Sequence, residues 1–255
     1  MLITAKEIIV NSWETYSKNW KKLLPYMGLL FASSLTLGII GIIGLKIEQY
    51  LFKGGLVFAN NLLVAALVVA LLLFTLWITI AMTKNLRQLV EKNEELNIKE
   101  NFSQTGKYLW PVIWVSFLML LTVIGGFILF MVPALIFAVW FAYYFYTVIF
   151  EEKNGIAALK SSRNLVMGRW WRTLWLLIAP GLFYGVIIMA LQGAITMPLQ
   201  IFWEKNSLFY IFSNSFINTT VSALFAPLTA LTTLYLYLSA KANPVEKTPE
   251  TPAKI

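Results

Sequence analysis

Five stretches of the chain carry no charged residue: 23–45, 54–83, 108–150, 173–203 and 206–240. A helix crosses about 30 Å of hydrocarbon with roughly 20 predominantly apolar residues. The first, second, fourth and fifth stretches each hold one crossing. The third spans 43 residues, enough for two. Gly125-Gly126 and Pro133 lie near its middle and predict a hairpin there, with either position making the outer turn. The expected spans are therefore about 23–45, 60–83, 109–130, 133–150, 173–194 and 215–240. No period-two alternation is visible, and backbone groups in lipid must be satisfied within each segment, so helices are expected rather than a barrel. The predicted fold class is all-α: a polytopic integral membrane protein with about six transmembrane helices in one membrane domain, 1–240. The stretch 241–255 contains three prolines and no apolar periodicity, which predicts a disordered cytoplasmic tail.

Two or three amphipathic interfacial helices are expected on one side of these spans. The first, 4–22, opens with Thr4 and Glu7 at capping-box spacing. Ile9, Trp13, Tyr16 and Trp20 then share one face, suited to lying in the headgroup region with the aromatic stripe toward the acyl chains. The others are about 101–110 and 155–170. Setting Ser162 on Ser12 brings Trp170 onto Trp20 and Arg172 onto Lys22, which reads as three units of surface helix plus hairpin. The alternative is that any cytoplasmic start of a span favours Trp and basic residues.

Charge sets the orientation. Of the 20 Lys and Arg residues, 17 fall in 1–22, 84–107, 151–172 and 241–255, and three in the intervening loops. By the positive-inside rule both termini face the cytoplasm. The first apolar stretch starts at Leu23 and is too long for a signal-peptide core, so no cleaved leader is expected. The net charge of +8 is on this reading a topology signal, and its division among membrane-flanking loops argues against nucleic acid as a partner.

The run Pro133–Tyr144, followed by Glu151, Glu152, Gly155, Ala158, Leu159, Ser161, Ser162, Gly168 and Trp170, resembles the membrane domain of bacterial glycerophosphoryl diester phosphodiesterases and the YciC-type uncharacterised integral membrane proteins. Thr233–Tyr237 is similar to the last-helix ending of that group. Ala134 stands where the family often carries Gly. The resemblance covers most of 1–240, with its motifs concentrated in 130–172. It implies a six-helix module in a bacterial inner or plasma membrane. No hydrolase domain accompanies it here, so hydrolase activity is not implied.

Composition narrows the chemistry. There is no Cys or His, and all twelve acidic residues are Glu. Cysteine nucleophiles, Ser-His-Asp triads, aspartyl dyads and Cys/His zinc sites are excluded. No metal, cofactor or catalytic residue is expected, and no predicted span contains Glu or Lys. The leading expectation is a non-enzymatic membrane module that contacts lipid or scaffolds partners. Its ligands would be anionic headgroups on the cytoplasmic face, met by Trp20, Lys21, Lys22, Arg163, Arg169, Trp170 and Arg172. A protein partner or homo-oligomer stays an open alternative. A second reading is a channel or carrier for a neutral or amphiphilic solute, along a polar cavity built from Asn214, Asn218 and Ser222; the competing explanation is interhelical hydrogen bonding. A third, a lipid-modifying enzyme, needs a carboxylate or Ser-Lys pair converging at the inner interface. Ser34, Gly38 and Gly41 form a small-residue stripe that close helix packing explains.

Overall fold

The computed structural model describes residues 2–51, 56–204 and 207–244. Among the described residues the regular structure is entirely helical. In chain order it comprises α1 (Ala5–Leu51), α2 (Leu56–Lys92), α3 (Ile98–Thr105), a 3-10 turn (Gly106–Tyr108), α4 (Leu109–Leu129), α5 (Met131–Trp140), α6 (Tyr144–Glu151), α7 (Gly155–Val166), α8 (Trp170–Thr196), the one-turn α9 (Leu199–Phe202) and α10 (Leu208–Ala242). Six helical stretches are long and apolar enough to cross a membrane. Their large apolar side chains point outward: Leu62 is 63% exposed, Ile128 79% and Met189 73%. Leaving such surface in water forgoes about 25 cal/mol per Å2, whereas in hydrocarbon it carries no penalty. The chain is an all-α polytopic membrane protein.

The capping box forms as expected. The Thr4 amide donates to Glu7 Oε2 at 2.8 Å, and the Glu7 amide donates to Thr4 Oγ1 at 3.3 Å. The surface helix expected over 4–22 is, however, not separate. Ala5–Leu51 is one unbroken helix with Pro25 inside it. At roughly 1.5 Å per residue it is about 70 Å long, more than twice the hydrocarbon thickness. Proline removes one hydrogen bond, but Leu23, Tyr26, Met27 and Leu30 around it are all buried, and that packing carries the helix through. The buried face of the N-terminal part is Ile8, Ser12 and Asn19, while Trp13 and Trp20 of the aromatic stripe are exposed.

The other boundaries differ in informative ways. α4 passes through Gly125-Gly126 unbroken, and the chain turns at Phe130, an extended residue (φ −170°, ψ 158°). Pro133 then falls in the first turn of α5, where its missing N–H is harmless. Gly126 serves the hairpin differently: a Cβ there would lie 3.0 Å from the Ala134 amide nitrogen and 2.9 Å from the Phe137 ring. The glycine lets the two arms approach closely. The single span expected over 133–150 is two helices, α5 and α6, broken at Phe141–Tyr143. At the break, main-chain bonds tighten to three-residue spacing, from Ala142 to Val139 and from Tyr144 to Phe141. The Tyr143 amide donates to Ser162 Oγ at 3.0 Å, and the same hydroxyl donates to the Trp140 carbonyl at 2.8 Å. Gly168 lies in the middle of the α7–α8 connection at φ 80°, a left-handed geometry that glycine adopts without penalty. α10 continues to Ala242, two residues into the expected tail; the rest of that tail, from 245 on, lies outside the described residues.

The chain divides into two compact units. One combines Met1–Asn11, Trp110–Pro180 and Thr232–Ile255, the other Ser12–Leu109 and Gly181–Leu231. In the first, Ser162 and Thr147 tie α7 to the broken span, Thr147 Oγ1 donating to the Ala158 carbonyl at 3.1 Å. In the same unit the Ile3 amide donates to Ser239 Oγ at 2.9 Å. In the second, α3 is fastened to α2 by Asn101 Nδ2, which donates to the Ala81 carbonyl (2.7 Å) and Tyr26 Oη (2.9 Å). Also there, Ser33 and Thr75 hydroxyls meet at 2.6 Å, and Tyr16 Oη donates to the Leu224 carbonyl at 3.0 Å, three residues before Pro227. Gly38 of the small-residue stripe faces Ser215, whose Oγ would stand 3.0 Å from an added Cβ; Gly41 faces nothing within 4 Å. One contact thus recurs three times. A polar side chain on the segment leading into a hairpin (Tyr16, Asn101 or Ser162) donates to a main-chain carbonyl of another hairpin's second arm (Leu224, Ala81 or Trp140).

Candidate functional site

The seven basic and tryptophan residues expected at the headgroup level take two different roles. Trp20 and Lys21 are exposed, with Lys21 Nζ 5.8 Å from the centre of the Trp20 ring. Lys22 is half-buried, and its Nζ reaches the Asn93 carbonyl at 3.5 Å. Arg163 is exposed and stacks its guanidinium 4.5 Å over the Trp140 ring. Lys21 and Arg163 thus lie against aromatic rings, while Lys22 meets a main-chain carbonyl. Lys21 and Lys22 belong to the second unit and Arg163 to the first.

Arg169 and Arg172 both donate to main-chain carbonyls. Arg169 Nε donates to the Leu165 carbonyl (2.8 Å), Nη1 to Asn243 (2.6 Å) and Nη2 to Ala240 (2.8 Å). It caps the last turn of α10, where carbonyls have no partner within the helix and a cation complements the helix dipole. Burial lowers its pKa; the Tyr143 hydroxyl opposes that shift and neighbouring Arg172 adds to it. Arg172 Nη2 donates to the Leu2 carbonyl at 2.6 Å. Trp170 Nε1 donates to the Ile136 carbonyl at 3.4 Å, and its ring packs edge-on to Trp171, with centroids 4.7 Å apart. The exposed tryptophan at this position is Trp171, at 77%.

Of the polar residues expected to line a cavity on the last span, Ser222 takes a side-chain contact and Asn218 a main-chain one. Asn214 and Asn218 are half-buried and Ser222 is exposed. Gln192 of α8, which the pattern of the last span did not bring into view, donates from Nε2 to the Asn218 carbonyl and to Ser222 Oγ, both at 3.3 Å. This is a bridge between α8 and α10.

The densest polar cluster escaped sequence reasoning, although its members Glu151, Ser161 and Tyr237 were among the residues carrying the family resemblance. Glu151 closes α6 immediately after the apolar run. Its Oε2 accepts from Lys153 Nζ (2.8 Å) and Ser161 Oγ (2.7 Å); its Oε1 accepts from Tyr237 Oη (3.0 Å), with Lys241 Nζ at 3.6 Å. Burial alone would raise the carboxyl, but the hydrogen bonds from Lys153, Ser161 and Tyr237 and the Lys153 charge outweigh it and hold the pKa at about 2. Lys153 Nζ also stands 2.8 Å from Ser161 Oγ, the contact a Ser-Lys nucleophile needs. Here the ammonium is engaged by Glu151 and the serine proton points at a carboxylate too acidic to accept it near neutral pH. The chemistry favours a fastening of α6, α7 and α10.

The motif residues 151–170 and 233–237 therefore converge on contacts between helices: Glu151, Ser161 and Tyr237 in one cluster, Ser162 at the helix break, Gly168 at the left-handed turn. No curated protein and no solved structure matches the chain. A family model described as "Domain of unknown function (DUF7847)" matches residues 48–241, more than half the sequence and a range that holds Glu151, Ser161, Ser162, Gly168 and Tyr237. The chain belongs to the DUF7847 family.

Proposed function

We propose that this protein is a non-enzymatic module of the cell membrane, with both termini cytoplasmic, that binds anionic phospholipid headgroups. The observation that carries this reading is the pairing of exposed cations with aromatic rings, Lys21 on Trp20 and Arg163 on Trp140. Aromatic rings prefer the headgroup level, and each basic residue near an anionic leaflet contributes on the order of 1 kcal/mol. The excess of Lys and Arg in four of the loops and ends supports the cytoplasmic side. The resemblance of 130–172 to phosphodiesterase membrane domains agrees with a lipid setting. Arg169 and Arg172 enter as clamps that shape the surface. The solute-path alternative is less favoured, because Gln192 bridges α8 to Ser222 and to the Asn218 carbonyl of α10, as interhelical hydrogen bonding does.

The test is retention of phosphatidylglycerol over phosphatidylcholine by the full chain in nanodiscs, read by native mass spectrometry. Lys21→Gln/Lys22→Gln/Arg163→Gln is expected to lose roughly tenfold or more of the preference, from about 1 kcal/mol per charge. A wild-type protein with no preference, or a triple variant that keeps it in full, overturns the proposal.

A further inference from the structure

We infer that α7 is seated in the bilayer interface along one line of side chains, Ile156, Lys160, Arg163 and Met167, with the apolar ends of the line against acyl chains and its two cations at the phosphates of anionic lipid. This seating rests on the lipid-binding reading and deepens it. Ile156, Lys160 and Met167 are not among the residues expected from sequence to meet headgroups. Spacings of four, three and four place the line within about 60° of arc, at about 100° per residue. All four residues are exposed, Ile156 at 75% and Met167, which ends the helix, at 45%. The core-facing residues Ala158, Leu159, Ser162 and Val166 occupy a separate arc. A third arc carries Ala157 and Asn164, both exposed, and Ser161, which bonds Glu151 and Lys153. The helix thus has three sides: one packed on protein, one apolar and basic, and one small and polar.

The neighbours at its two ends identify what covers the apolar and basic side. Just before Ile156, Gly155 stands against α4: a Cβ on it would lie 3.9 Å from Trp114 Nε1. Trp114 belongs to an exposed line of that span, with Trp110, Phe117 and Leu121 at the same spacings of four, three and four. Beyond Met167 the exposed apolar surface resumes on α8 with Trp171, Trp175 and Ile178. α4 and α8 are both long and apolar enough to cross the membrane, and these residues all fall within the first unit. The line on α7 therefore continues a lipid-facing surface at both ends. α7 carries no acidic residue, so its charge complements an anionic leaflet. Lysine and arginine can stand between two buried apolar residues in such a setting, because their stems lie along apolar surface while the charged heads reach the headgroups. A helix of this kind sinks its apolar side to the boundary between headgroups and acyl chains.

The chain has no cysteine, so single labels report each side of α7 without background. Ile156→Cys, Met167→Cys and Asn164→Cys each carry a nitrobenzoxadiazole fluorophore in the full chain, in nanodiscs of phosphatidylcholine and phosphatidylglycerol. Each is quenched in turn by aqueous iodide and by a nitroxide at the top of the lipid acyl chain. The labels on Ile156→Cys and Met167→Cys are expected to be blue-shifted and dimmed chiefly by the lipid nitroxide, and the label on Asn164→Cys chiefly by iodide. Iodide reaching the first two as readily as the third overturns the inference. So does protection of the first two from both quenchers, the mark of a protein on this face. Lys160→Gln is expected to weaken phosphatidylglycerol retention roughly fivefold, the loss of one interfacial charge, and Lys160→Arg to keep it; full retention by Lys160→Gln overturns the phosphate contact. If the labels sit in lipid while the wild type shows no preference for phosphatidylglycerol, the headgroup reading falls and the seating of the apolar ends stands. If the preference is kept but iodide reaches both labels, the seating falls and the headgroup reading stands.

Discussion

Replacing Ser162 by alanine removes one oxygen atom from a fully buried position, yet it is expected to be among the most damaging small changes in the protein. The hydroxyl satisfies two main-chain groups at the break between α5 and α6: it accepts from the Tyr143 amide and donates to the Trp140 carbonyl. Neither regains a helical partner when it goes, because the neighbouring bonds already run from Ala142 to Val139 and from Tyr144 to Phe141. A buried polar group left unsatisfied costs roughly 1–3 kcal/mol. With two groups affected and partial relaxation of the turn, Ser162→Ala should lose about 2–4 kcal/mol. Side-chain hydrogen bonds between membrane helices average about 0.6 kcal/mol, so the two accounts are separable. Reversible unfolding in mixed dodecylmaltoside and SDS micelles measures the difference. Ser17→Ala, at an exposed site on α1 whose hydroxyl bonds the Glu14 carbonyl one turn away, is the control and should stay within about 0.5 kcal/mol. A Ser162→Ala loss no larger than that of Ser17→Ala would mean that the break is intrinsic to residues 141–143 and that Ser162 merely occupies it.

Two further outcomes follow from the geometry. Gly126→Ala should destabilise the α4–α5 hairpin by about 1–3 kcal/mol, since its Cβ meets main chain that cannot swing aside, whereas Gly125→Ala, facing open space, should be neutral or slightly stabilising; the same unfolding assay compares them. Glu151 has a folded pKa of about 2 against an ordinary 4.5, so its contribution is complete above pH 4.5 and drains away as the pH falls toward 2. Glu151→Gln should flatten the melting temperature across that window, and an unchanged acid slope would show that the carboxylate cluster does not stabilise the fold.

The long ion-free stretches were sufficient to identify six spans and an all-α membrane fold, because hydrocarbon tolerates almost no unpaired charge and the length of an apolar run is a one-dimensional quantity. The N-terminal cap was legible for a related reason: Thr4 and Glu7 interact across three residues, within one turn. The tertiary structure decided the rest. Whether Arg169 faces a lipid or the end of α10 depends on Ala240 and Asn243, more than 70 residues away. At the interruption over 141–143 the exposed main-chain groups meet Ser162, and Ser222 of α10 meets Gln192 of α8. Local pattern records which residues prefer an interface between water and lipid, and basic residues satisfy that preference equally well by capping a helix or by meeting a headgroup. Only the packing of distant segments chooses between them, because an arginine donates to whichever acceptors the fold brings within 3 Å.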